Sequence, residues 1–122
     1  MLQFPGKRQR REIHMGDTWQ TFDIDAIKQK LAGDSVQYQE FLRVPALSCG
    51  VYHLPVGAKD MQTPHDEDEV YFVLEGRATM KVGEEFKEVV PGTILYVQAT
   101  ETHSFFEIEE AMTLLVFFAA AI

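Results

Sequence analysis

From Tyr38 to Phe118 the chain is a series of short apolar stretches broken by turn residues at spacings of about ten, with proline or glycine closing those before residue 93. That rhythm leaves no room for the crossover helices a parallel sheet needs, so it predicts an antiparallel all-β sandwich or barrel. Expected strands are Tyr38 to Val44, closed by Pro45, and Leu47 to Leu54, closed by Pro55 and Gly57. Val70 to Leu74 follows, ended by Glu75-Gly76, and then Ala78, Met80 and Val82 alternate with Arg77, Thr79 and Lys81. This is the clearest period-two signal in the chain. Phe86 to Val90, Ile94 to Val97, His103 to Ile108 and Met112 to Phe118 complete the set. Before them lies one helical pattern. Ile24, Ile27 and Leu31 recur at helical spacing, with Asp23 as N-cap and Gly33 as stop, which predicts a helix of roughly ten residues.

A chain of 122 residues with 46% hydrophobic content suits one domain with a real core. Residues 1–18 read as a loosely held arm and 19–122 as the barrel domain. Four of the eleven basic residues, Lys7, Arg8, Arg10 and Arg11, precede the first acidic residue, Glu12, so seven remain against all nineteen acids. An acidic body repels nucleic acid. No apolar run is long enough for a membrane helix, and the basic N-terminus lacks the apolar segment of a secretory signal. The single cysteine, Cys49, excludes an internal disulfide framework and reads as a small buried residue in a reducing cytoplasm. Val70 to Leu74 and Leu114 to Phe118 are apolar on both faces, so the outer face needs a cover, and a homodimer is expected.

The chemistry concentrates in Thr63-Pro-His-Asp-Glu-Asp-Glu69, a histidine followed by four carboxylates. Taken alone, the run is either a solvated turn or part of a metal site. In an extended segment residues 65, 67 and 69 share a face, Glu69 aligns inward with Tyr71 and Val73, and Asp66 and Asp68 point to solvent. His103, in phase with Phe105, opens a strand that can meet the first pair across a barrel.

Two spacings in this order resemble the cupins. Gly57 is followed by five residues, Thr63-Pro64-His65, three residues, Glu69, six residues and Gly76. Gly92 is followed by five residues, Gln98-Ala99-Thr100, two residues, His103, three residues and Glu107. The resemblance covers residues 36 to 118 and implies a double-stranded β-helix, or jelly-roll barrel. It also implies a divalent metal, Fe, Mn, Zn or Ni, on His65, Glu69 and His103. Thr63 stands where the family has its first histidine, while Gln98, Thr100 and Glu107 replace the turn Pro and Gly and the final Asn. Thr63, Gln62, Tyr71, Tyr96 and Phe105 are the expected surroundings of the site. The implied function is a small-molecule metalloenzyme of oxygenase, isomerase or lyase type; the alternative is a non-catalytic module for a sugar or organic acid.

Overall fold

The computed structural model describes residues 18–31, 33–60 and 66–120. Helix α1, Ile24–Gln29, begins where Asp23 accepts hydrogen bonds from the backbone of Asp25 (3.0 Å) and Ala26 (3.4 Å). It has six residues rather than the expected ten. The last turn tightens, with Lys30 N–H donating to Ile27 O and Leu31 N–H to Lys28 O, and the chain then leaves the helix. Leu31 is the buried anchor of this segment.

Six strands follow: β1 Gln37–Val44, β2 Leu47–Leu54, β3 Glu69–Val82, β4 Glu85–Val89, β5 Ile94–Val97 and β6 His103–Ala119. All pairings are antiparallel, in the order β1-β2-β6-β3-β4, with β5 also on β3. This is the expected all-β fold, a double-stranded β-helix.

Two boundaries differ from the sequence expectation. Glu75-Gly76 does not end a strand, and His103–Ile108 and Met112–Phe118 are one strand, not two. The pairing of β3 with β6 shifts register between Val73 and Thr79 yet resumes on either side. Such bulges bend a strand while keeping it paired. Gly76, at φ +97°, stands at the bend, and any Cβ there would strike the Ala111–Met112 backbone of β6. The bend lets each long strand serve two layers. The first half of β3 pairs with the end of β6 and with β5; its second half pairs with the start of β6 and with β4.

Curling also closes a long distance. His103 pairs with Val82, thirteen residues from Glu69 along β3. Laid straight, that run spans about 43 Å. In the curled sheet the His103 and Glu69 side chains touch. Between the layers lies one core that includes Leu54, Tyr71, Val73, Met80, Phe105, Met112 and Leu114. No described helix is long and apolar enough to cross a membrane.

Candidate metal centre and ligand cavity

Glu69 opens β3 and alternates inward with Tyr71 and Val73, so its carboxylate enters the barrel and is only 2% exposed. Its backbone neighbours are Phe118 on one side and Val97 on the other. The preceding Asp68 points outward but has a structural task. Its Oδ1 accepts from Ala99 N–H at 2.7 Å and its carbonyl from Ala119 N–H at 2.9 Å. These bonds tie the turn after β5, where Thr100 has φ +66°, to the mouth of the barrel. That turn delivers His103.

The His103 ring is buried. Its Nε2 lies 2.6 Å from Glu69 Oε1, and its Nδ1 lies 2.8 Å from Glu101 O. Tyr71 stands edge-on to it at 6.2 Å, and Phe105 packs edge-on against Tyr71 at 5.1 Å. Burial pulls the His103 pKa down. The bonds to Glu69 and to the Glu101 carbonyl, with the charges of Glu69 and Asp60, outweigh it and hold the pKa above the ordinary value.

Beside this pair opens a cavity of about 340 Å³. Directly paired residues of antiparallel strands share a face, which explains its walls. Tyr38 pairs with Tyr52, Ser48 with Phe118 and Tyr71 with Val116, and all six line it. Tyr38 lies across β2 at Gly50, where a Cβ would strike its ring and hydroxyl. Burial and then the Glu40 charge push the Tyr38 pKa up to about 12. Tyr52 is driven higher still, by burial first and then by its hydrogen bond to Asp60. At the rim Glu40 holds Arg43 through two bonds, 2.7 and 3.1 Å, and Glu67 joins the lining.

Of the residues singled out in the sequence, Glu69 and His103 are brought into contact, and Tyr71 and Phe105 lie fully buried beneath them. Tyr96 is instead 63% exposed, because it alternates with the buried Val97 on β5. Gln62, Thr63 and His65 fall outside the described residues. Among the described residues no three His, Cys, Asp or Glu side chains form a group able to hold a metal ion. Sequence reasoning missed the Tyr52–Asp60 pair and the Tyr38 wall. The signal for Tyr52 was its inward phase with Leu54; Asp60 sits in an irregular segment after β2 and carried none. Glu67, on the face that an extended segment shares with Glu69, is half-buried at the cavity.

A barrel of this topology, with a buried carboxylate and imidazole at its mouth, is the arrangement of a cupin. The chain belongs to that family: the cupin domain model matches residues 50–118. It is 41% identical over 98 residues to the uncharacterized protein SCO3923 of Streptomyces coelicolor, covering 80% of this chain and 93% of that one. Among solved structures it is similar to TT1209 from Thermus thermophilus, at 23% identity and TM-score 0.69, covering 82% and 96% of the two chains. It is also similar to an RmlC-like cupin with a double-stranded β-helix from Methanocaldococcus jannaschii, at 14% identity and TM-score 0.69, covering 88% and 94%. At those identities the two structures speak for the fold alone.

Proposed function

We propose that the chain is a small-molecule metalloenzyme of cupin type. Glu69 and His103, with His65 as third donor, would hold one divalent cation, Fe, Mn, Zn or Ni, and the adjoining cavity would take the substrate. The observation that supports this is the donor state of the buried pair. A carbonyl oxygen only accepts, so His103 Nδ1 carries its hydrogen and donates to Glu101 O. In the neutral ring Nε2 is then a lone pair, and it faces Glu69 Oε1 at 2.6 Å. Two acceptors at that distance call for a cation, either a shared proton or a metal ion. Glu69 Oε2 is buried with no hydrogen-bond partner among the described residues, which leaves a further oxygen to donate. A ring N–H given to a backbone carbonyl is the usual way a metal-ligating histidine is oriented. Imidazole with carboxylate suits these first-row cations.

When bound, such a cation supplies Lewis-acid stabilisation of charge on an oxygen ligand. The protein's own contribution is positional. Asp68 fixes the turn that carries His103, Glu101 sets its tautomer, and Tyr71 and Phe105 brace the ring. Oxygenation, isomerisation and lyase chemistry are all compatible with this site.

Elemental analysis of protein purified without chelators or an affinity metal tests the proposal. Near-stoichiometric metal, lost in Glu69→Gln, His65→Ala and His103→Ala, is the expected result. Failure to take up metal after reconstitution refutes it. Thr63→His tightens uptake if Thr63 occupies the family's first ligand position. The same 2.6 Å contact also favours a second reading, a ligand-binding module in which a proton bridges Glu69 and His103. Full ligand affinity in metal-free protein, with no turnover after metal is added, would select it. Homodimerisation belongs to the proposal as well. Ile94 (69%) and Tyr96 (63%) lie exposed on β5, beside Phe72 and Val70 of β3. Sedimentation of a concentration-independent monomer would overturn that part.

A further inference from the structure

One hydroxyl restricts what the cavity can hold. The Tyr52 O–H donates to Asp60 Oδ1 at 2.6 Å, and Asp60 Oδ2 accepts the Phe105 N–H at 2.9 Å. The carboxylate is thus held from two sides, and the Tyr52 hydrogen is committed to it. Only lone pairs remain on Tyr52 Oη. No described side chain donates to them, so a ligand atom that reaches this oxygen has to bring its own hydrogen.

Shape and charge add to this. Tyr38 stands edge-on to Tyr52 (6.1 Å, 70°) and to Phe118 (6.5 Å, 71°), which leaves aromatic walls around the space. A volume of about 340 Å³ equals the room of roughly eleven liquid-water molecules, so it suits about a dozen non-hydrogen atoms. Arg43, the one cation among the described lining residues, is already neutralised by Glu40. Glu67 adds a second carboxylate, with no further cation among the described lining residues to balance it. An anionic ligand would be repelled and would have to break the Glu40–Arg43 pair to gain a partner.

We infer that the cavity selects a small ring-bearing molecule that carries an O–H or N–H donor and no negative charge, with Tyr52 Oη as the acceptor and Asp60 as the positioning residue. This rests on and deepens the proposed function, since it concerns the cavity of the same site.

The test uses phenol, anisole and benzoate with the full chain, chelator-treated, and affinities read by ligand-observed NMR or calorimetry. Phenol and anisole share a ring and differ in the donor; benzoate carries the negative charge. Phenol is expected to bind about fivefold tighter than anisole, the scale of one hydrogen bond, and benzoate more weakly than either. Tyr52→Phe brings the phenol-to-anisole ratio to about one while anisole affinity stays, which shows that the cavity is intact. Asp60→Ala frees the Tyr52 hydrogen to meet an acceptor, so the ratio falls there too, a change that lowered stability alone does not produce. Equal binding of phenol and anisole by the unaltered chain, preferred binding of benzoate, or no binding of phenol overturns the inference. The metal proposal is judged separately by elemental analysis. Metal uptake without donor preference sinks only the ligand class, and donor preference without metal uptake sinks only the metal reading.

Discussion

Removing His103 asks whether the buried pair acts as a unit. In chelator-treated protein, His103→Ala leaves Glu69, 2% exposed, with neither carboxylate oxygen bonded to a side chain described in the barrel. Deleting one partner of a buried ion pair costs about 3–5 kcal/mol, because the other charge stays desolvated. Glu69→Gln is milder, about 1–2 kcal/mol, since its amide N–H can still donate to Nε2. Urea denaturation of both single variants and the double variant forms a cycle, with an expected coupling above about 1.5 kcal/mol. The sign of the pH dependence follows from the His103 pKa, which is raised in the fold. The native state then holds the proton more tightly than the unfolded chain. Its contribution is complete below the ordinary value of 6.5 and is lost as pH rises through the folded value. Measured against Glu69→Gln with His103→Gln, which lacks both partners, wild-type stability is expected to show its full advantage below pH 6.5 and a shrinking one as pH rises above that value. A His103→Ala cost under about 1 kcal/mol, or an advantage that grows with pH, would refute the reasoning.

Gly76→Ala is expected to lose at least about 1–3 kcal/mol, the scale of a non-glycine residue forced into a positive-φ conformation, because its Cβ also meets the β6 backbone. Thermal melts check this, and an unchanged Tm would count against the bend at this position. Asp60→Ala orphans two donors, Tyr52 Oη and Phe105 N, at about 1–3 kcal/mol each, also read by denaturation. Lys28 bonds Glu75 at 2.8 Å and thereby lowers the Glu75 pKa, so this contribution is present at neutral pH and fades as pH falls. Lys28→Ala should return the Glu75 titration, followed by NMR, toward the ordinary glutamate range. Little change in midpoint would mean that the contact is absent in solution.

Local pattern carried the fold a long way. Leu47 to Leu54 and Ile94 to Val97 are strands at the expected bounds, and the alternation through Tyr71, Val73, Ala78 and Met80 placed those side chains in the core. Local pattern failed where a residue type has two uses. Glu75-Gly76 reads as a turn, but the glycine serves a bulge inside a continuous strand. Leu31 continues the helical spacing of Ile24 and Ile27, but the backbone has left the helix before it. Tyr96 reads as barrel lining, but its phase against Val97 turns it outward.

Strand periodicity, the acidic balance and the spacing of Glu69 and His103 around their glycines are all properties of neighbours along the chain, and they suffice for the class of fold and the family. The 2.6 Å contact between Glu69 and His103 is not such a property. It depends on how far β3 curls, which is set by the bulges it shares with β6 and by the Asp68 bond that anchors the turn before His103. The chemistry of the cavity lies deeper still. Whether Tyr52 gives or receives a hydrogen bond is decided by Asp60, eight residues away in an irregular segment with no period to read, and only folding places its carboxylate against the hydroxyl.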